Sequence, residues 1–151
     1  MDIAAASWWE ILLRLILALV LGGLIGLERE TVEKPAGLRT HTLVTLGAAL
    51  FTLISKEGFF GSGADPARIA SNIVVGIGFL GAGTIWRSGV NVQGLTTAAT
   101  LWTSAAIGTA AGAGFYLGAA AATALVVIVL IPFKALEKLL QRTQDSALKV
   151  A

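Results

Sequence analysis

The 151-residue sequence has no cysteine, a single histidine and few charged residues, which make up only 13% of the chain. Without cysteine there is neither a disulfide framework nor a thiolate metal site. A soluble domain carries about 25% charged residues. The shortage of charge therefore excludes a disordered chain, a solvated coiled coil and most water-soluble enzymes.

Apolar residues take the place of the missing charge, because 56% of the chain is hydrophobic. A soluble domain of this length does not have enough interior to bury so many apolar side chains. The sequence therefore predicts that the lipid bilayer is a partner of this chain. The formal net charge is only +2, and nothing in it points to a nucleic-acid partner.

Five apolar stretches have the length of a membrane-spanning helix and predict an all-α, polytopic membrane protein with about five transmembrane helices within residues 1–133. The first is predicted to be a membrane span and not a cleaved signal peptide, because Asp2 and Glu10 precede it instead of a basic segment. Residues 134–151 are predicted to form a short amphipathic cytoplasmic tail or to continue the last helix, with no soluble domain after it. The five stretches cover residues 11–27, 40–55, 69–86, 95–111 and 115–133.

The distribution of basic residues predicts the orientation of these helices. One side of the predicted membrane carries eight basic residues and the other carries two, so the basic side is cytoplasmic and the amino terminus lies outside. The cytoplasmic set is Arg29, Lys34, Arg39, Arg87, Lys134, Lys138, Arg142 and Lys149. The opposite set is Lys56 and Arg68.

Glycine is abundant, with 18 residues, and many lie four positions from another small residue. This spacing lets helix backbones approach closely in a membrane, which predicts a packing role. Alternatively, the glycines of the third stretch expose carbonyl groups to a permeating ion. The motif G-x-G-x-x-G at 76–81 is not a dinucleotide site, because it lies within a span, and no cofactor is predicted. The packing candidates are Gly22, Gly26, Gly76, Gly78, Gly81, Gly83, Gly108 and Gly112.

Charged groups gather where the first two stretches meet. Glu28, Arg29 and Glu30 end the first stretch, and Arg39 and His41 begin the second after a connection of about ten residues. These groups are therefore predicted to lie together at the cytoplasmic mouth. There they form either a salt-bridged clamp or the entrance of an ion or proton path. Arg14 lies one turn inside the first stretch and either extends to the headgroups or pairs with Glu57 or Asp65.

Hydroxyl groups follow one face of the fourth stretch, where Thr96, Thr100, Thr103 and Ser104 recur at helical spacing. They either bond to neighbouring helices or line a polar path for a small ion. Asn72 adds a polar group to the third stretch. A catalytic role is not predicted, because no nucleophile motif or metal-ligand spacing is present.

Three blocks resemble the MgtC/SapB family of bacterial inner-membrane proteins: PAGLRTH at 35–41, GIGFLGAG at 76–83 and GLTTAATLW at 94–102. The resemblance extends over about residues 12–132. It implies a five-helix domain of the inner membrane. It also implies that the protein is associated with bacterial growth in low magnesium and, in pathogens, with survival of the bacterium inside macrophages. Virulence members differ at Ser88, Thr96 and Thr103, which favours a housekeeping branch for this chain.

The sequence therefore leads to two hypotheses. In the first, the protein supports magnesium or ion homeostasis as a carrier of Mg²⁺ or H⁺. In the second, it is a non-transporting regulator that docks on other membrane proteins or on a second copy of itself. The family resemblance implies one such target, the F-type ATP synthase, which virulence members restrain. The candidate polar path or regulatory site comprises Glu28, Arg39, His41, Asn72, Thr96 and Thr100.

Overall fold

A computed structural model describes residues 6–58, 65 and 67–133, which form an antiparallel helical bundle with one short hairpin. A π-helix, Ile54–Gly58, continues the second helix and is called the π-segment below. The elements are α1 (Trp8–Thr31), α2 (Leu38–Leu53), α3 (Ala67–Ala82), β1 (Trp86–Ser88), β2 (Asn91–Gln93), α4 (Leu95–Ala113) and α5 (Tyr116–Leu130).

Local signals in the sequence explain where the helices begin and end. Ser7 and Glu10 form a reciprocal capping box at the start of α1, which satisfies two backbone groups that the helix leaves unpaired. Gly114 ends α4 in the left-handed conformation with φ of 86°, where a residue without Cβ is favoured. The chain can therefore turn directly into α5.

The bundle has two ends, each named after one polar residue that lies there. At the His41 end lie the end of α1, the start of α2, the start of α4 and the hairpin. At the Glu57 end lie Ser7, the π-segment and the turn between α4 and α5. Helix α2 packs most extensively against α1 and α4, while α3 packs mainly on α4. The centre of the described bundle is therefore the contact of α1, α2 and α4.

Small residues dominate the two apolar cores. One core joins α1 to α4 and α5 through side chains such as Ile25, Ile107 and Ala111. The other joins α2, α3 and α4 through Ala48, Ile77 and Leu101. Small side chains let the helix axes approach closely, so van der Waals contact between backbones contributes to the packing.

The glycines divide into two groups. An added Cβ on Gly22 would lie 2.5 Å from Thr45 Oγ1, and one on Gly26 would lie 2.7 Å from the Leu38 Cα. An added Cβ on Gly112 would lie 2.5 Å from the Ala49 carbonyl oxygen, and one on Gly108 would clash with the Thr45 carbonyl oxygen. These four glycines bring α1 and α4 into contact with the backbone of α2.

Two glycines of α3 do not pack against another helix within the described part of the chain. An added Cβ on Gly76 or Gly78 would meet nothing within 4 Å among the described residues, because this side of α3 has no neighbouring helix there. Gly81 is at ordinary contact distance from Ala98, and Gly83 lies close only to carbonyl groups of its own helix. Within the described residues, the predicted packing role is therefore seen for the glycines of α1 and α4 that contact α2, while Gly76 and Gly78 face an open surface.

The helix boundaries differ from the predicted stretches at two places. Helix α3 ends at Ala82 instead of continuing to Trp86, which instead pairs with Gln93 in the antiparallel hairpin. Gly112 lies inside α4, so the turn to α5 is made by Gly114 and Phe115. The predicted tail, 134–151, lies outside the described residues.

Two helices are long and apolar enough to cross a bilayer, Trp8–Thr31 and the continuous helix Leu38–Gly58. Two shorter helices, Ala70–Ala82 and Tyr116–Leu130, are also apolar. Large apolar side chains such as Leu24, Phe79 and Leu125 are exposed on the outside of the bundle. The all-α class is confirmed, with the hairpin as the only sheet among the described residues.

Candidate functional site: a buried histidine between helices

His41 is fully buried, with 0% of its surface exposed, in the first turn of α2. Its Nδ1 lies 3.0 Å from the Gly37 carbonyl oxygen, and its Nε2 lies 3.1 Å from Thr100 Oγ1 on α4. A carbonyl oxygen only accepts, so a hydrogen bond to Gly37 requires the hydrogen on Nδ1. A neutral ring then accepts at Nε2 from the Thr100 hydroxyl.

The Thr100 hydroxyl has two acceptors within reach. Its oxygen lies 2.9 Å from the Thr97 carbonyl oxygen of its own helix and 3.1 Å from the His41 ring. If the Thr100 hydroxyl donates to Thr97, it can only accept from His41, so Nε2 must carry a hydrogen. Because Nδ1 also carries one, the ring is then a cation. The position of one hydroxyl hydrogen is therefore linked to the protonation of His41.

The buried hydroxyl groups of α4 lie on a slightly different face of the helix from the one predicted. Thr97, Thr100 and Ser104 are the buried members, while Thr96 is exposed and Thr103 donates to the Ala99 carbonyl of its own helix. Thr97 was missed, although it lies three residues before Thr100 and seven before Ser104 and so shares their face. The Ser104 Oγ is buried without a hydrogen-bond partner among the described residues.

The predicted cluster of Glu28, Arg39 and His41 does not form as a three-membered group. Glu28 instead binds its neighbour Arg29, with distances of 2.6 Å and 3.1 Å to the guanidinium nitrogens. Arg39 is exposed and makes no hydrogen bond or ion pair within the described part of the chain. Arg39 lies apart because the first turn of α2 directs residues two positions apart, such as Arg39 and His41, to different sides.

Other groups close the connection between α1 and α2. The Glu30 carboxylate accepts the Leu38 backbone N–H at 2.9 Å, which caps the start of α2, where Gly37 provides no side chain. The Thr45 hydroxyl donates to the His41 carbonyl oxygen at 2.8 Å. Hydrogen bonds from Glu30 and Thr45 thus hold the start of α2, where His41 lies, in place.

Asn72 lies apart from this site. Its side chain is exposed and donates to the Arg68 carbonyl oxygen of α3 at 3.0 Å. It faces a groove between α2 and α3. The candidate residues are thus separated into a buried pair, His41 and Thr100, and members on the surface.

A second buried cluster lies at the Glu57 end. Arg14 is only 8% exposed, and its Nη1 lies 3.5 Å from Glu57 Oε1. Arg14 therefore forms the ion pair with Glu57 and does not extend to the headgroups or pair with Asp65. Its guanidinium also donates to the Gly112 carbonyl oxygen at 3.2 Å and to the Tyr116 hydroxyl at 3.3 Å. The cluster thus ties α1 and the π-segment to the turn between α4 and α5.

Acidic, histidine and cysteine side chains are the protein groups that most often bind metal ions. Within residues 6–58, 65 and 67–133, no group of three such residues lies close enough to hold a metal ion. The carboxylates nearest His41 are used by Arg29 and by the backbone of α2. The described site is therefore a polar helix contact of hydroxyl, imidazole and backbone groups.

Replacing Thr100 with valine tests the value of this contact. Thr100→Val keeps the shape of the side chain but leaves a buried ring nitrogen without its partner, which is expected to lower the free energy of unfolding by about 1–3 kcal/mol. Thr103→Val is the matched control, since that hydroxyl bonds only within its own helix. Denaturation in detergent micelles, followed by circular dichroism, measures both. Equal losses in the two variants would show that the His41 contact adds no stability.

Comparison with known proteins assigns the chain to a family. The sequence profile of the MgtC family matches residues 15–139, which include both His41 and Thr100. The chain belongs to the MgtC family. This confirms the resemblance inferred from the three sequence blocks.

Relatives of this MgtC-family chain come from several bacteria. It is 53% identical over 112 residues to Protein MgtC of Brucella abortus, covering 74% of this chain and 46% of the relative. It is 53% identical over 116 residues to Protein MgtC of Salmonella typhimurium, covering 77% and 49%. The protein of Escherichia coli named "Putative magnesium transporter YhiD" is 50% identical over 113 residues, covering 71% and 53%.

The matched region is only part of each relative. The chain spans about half the length of the curated relatives it matches. No solved structure matches this MgtC-family chain.

Proposed function

We propose that this chain is a multi-pass protein of the bacterial inner membrane that supports magnesium homeostasis. The apolar exterior of the bundle, its two helices of span length and the name of the Escherichia coli relative support this proposal. The antiparallel order of the five helices supports five membrane crossings as part of this proposal. The excess of basic residues on one side favours an external amino terminus and a cytoplasmic carboxyl terminus.

We infer that the protein acts on other membrane proteins and does not itself carry ions. The observation that carries this inference is the closed contact between His41 and Thr100. His41 is fully buried, both ring nitrogens have partners, and Gly108 brings α4 against the backbone of α2 beside it. Mg²⁺ requires several oxygen ligands and retains bound water, for which this contact has no room.

A groove on the outside of the bundle supports docking of a partner helix. It lies between α2 and α3, has a volume of about 560 Å³ and is lined mainly by apolar groups. Gly47 and Gly76 form part of its wall, and neither meets another described atom within 4 Å of an added Cβ. Because small residues let helices approach closely in a membrane, this groove fits a transmembrane helix of another protein or of a second copy.

A carrier of H⁺ or Mg²⁺ is the second candidate. The Thr100 hydroxyl hydrogen has two acceptors, Thr97 and His41, and the buried Ser104 hydroxyl lies one turn further along α4. Such a series of hydroxyl and imidazole groups is typical of proton relays in membrane proteins. The relay would extend from Thr97, near the His41 end, into the bundle.

A growth experiment tests the docking role. Gly76→Leu fills the groove and is expected to abolish support of growth in magnesium-limited medium, in a strain that lacks its own family member. Gly78→Leu is the matched control, because Gly78 is equally open but does not line the groove. Equal amounts of both variants in the membrane must be verified by immunoblot. Full growth with Gly76→Leu would contradict docking at this groove.

A further inference from the structure

A second cavity lies at the His41 end and has a different chemical character. Its volume is about 640 Å³, and it is enclosed by the connection between α1 and α2, the hairpin, the start of α4 and the end of α5. Arg29, Lys34, Gln93 and Thr96 contribute polar groups to its lining, while Trp86 and Phe133 form apolar walls. Two of these polar residues are basic, and none of the lining residues is acidic.

Arg29 provides the observation that points to a ligand. The residue is only 3% exposed, and its Nη1 has no hydrogen-bond partner among the described residues. Its other two nitrogens bind Glu28, which lies against a different groove, between α1 and α5. A buried guanidinium nitrogen without a partner is costly, and an anion in this cavity would supply the missing acceptor.

The start of α4 adds a second source of positive potential to the same cavity. Helix α4 has 19 residues, and its first two, Leu95 and Thr96, line the cavity. Its N-cap is Gly94, with φ of 89° and no side chain to cap the helix. The first backbone N–H groups of a helix lack partners within the helix, and the helix dipole favours a negative charge there.

We propose that this cavity binds a phosphate-bearing anion. The first N–H groups of α4, the free Arg29 Nη1 and the Lys34 ammonium are the donors, which is the combination that phosphate oxygens bind at helix N-termini. The group comes either from inorganic phosphate or from the headgroup of an anionic phospholipid. Trp86 and Phe133 would contact the glycerol and acyl part of a lipid.

Binding is measured on the full chain in a sugar-based detergent that contains no phosphate. In one arm, inorganic phosphate is titrated and followed by calorimetry. In the other arm, phosphatidylglycerol is added and the retained lipid is counted by native mass spectrometry. Saturable binding in the first arm assigns free phosphate as the ligand. Retained lipid without phosphate binding assigns the headgroup, and absence of binding in both arms overturns the proposal.

Variants at the start of α4 separate binding from folding. Thr96→Asp places a carboxylate in the first turn, which favours the helix but repels an anion, so binding is expected to fall by at least about tenfold. Thr96→Asn is the uncharged control and is expected to bind within about twofold of the original chain. Unchanged affinity in Thr96→Asp would overturn the proposed site.

Charge variants on the surface test whether the cavity itself is responsible. Lys34→Gln removes a cavity cation and is expected to weaken binding by about three- to tenfold. Arg39→Gln removes an exposed cation of the same connection outside the cavity and is expected to change affinity by less than about twofold. Equal losses would indicate attraction by general surface charge and would overturn the proposal.

Discussion

Gly108→Leu is expected to lower the free energy of unfolding by about 3 kcal/mol or more, because the added side chain has no space between α4 and α2. Even a Cβ at this position would run into the Thr45 carbonyl oxygen and lie 3.0 Å from the Ala48 Cβ. Backbone atoms cannot rotate away, so the two helices must separate. That separation would also break the contact between His41 and Thr100.

The same substitution at Gly76 is the matched control. Gly76 faces open space within the described structure, so a leucine there avoids a clash and gains up to about 1 kcal/mol from helix propensity. Denaturation of both variants in mixed micelles, followed by circular dichroism, gives the comparison. If Gly108→Leu were as stable as Gly76→Leu, the close approach of α2 and α4 would be refuted.

Arg14→Ala is expected to cost about 3–5 kcal/mol, because it leaves the Glu57 carboxylate without its cation at a largely buried position. The substitution also removes the donor to the Gly112 carbonyl oxygen and the contact with Tyr116. Arg39→Ala is the control, since Arg39 is exposed, and its effect should stay within about 0.5 kcal/mol. The free energy of unfolding in mixed micelles again provides the measurement.

A double variant shows whether the loss comes from the unpaired charge. Replacing both members of a buried ion pair with apolar side chains of similar size is often close to neutral. Arg14→Met combined with Glu57→Leu is therefore expected to be more stable than Arg14→Ala. A double variant that is less stable than Arg14→Ala would show that the pair contributes net stability beyond charge compensation.

The sequence predicted the helices well because each corresponds to an apolar run between charged or glycine-rich segments. It did not predict the hairpin of Trp86–Gln93, although Gly89 marks its turn with φ of 62°. Trp86 was assigned to the third span because apolar residues continue up to it. Pairing with β2 across the turn at Gly89 gives this short segment its strand structure.

The candidate site was predicted less well, because residue spacing alone does not give the rotation of one helix against another. His41 and Thr100 are 59 residues apart, and their contact depends on how α4 packs across α2 at Gly108. Glu28 pairs with Arg29 of the predicted cluster, while Arg39 of the same cluster is exposed. Thr97 was not predicted, and its burial and the cavity that it lines identify it.

Ion flux through the purified protein tests most directly whether it regulates other membrane proteins or carries ions. The chain is reconstituted into liposomes that contain magnesium-sensitive and pH-sensitive dyes, and flux is compared with that of empty liposomes. A regulator that acts through docking predicts no movement of Mg²⁺ or H⁺ above the empty control, while the same preparation remains folded. Flux that is lost in Thr100→Val but retained in Thr103→Val would contradict this account and support the path through His41.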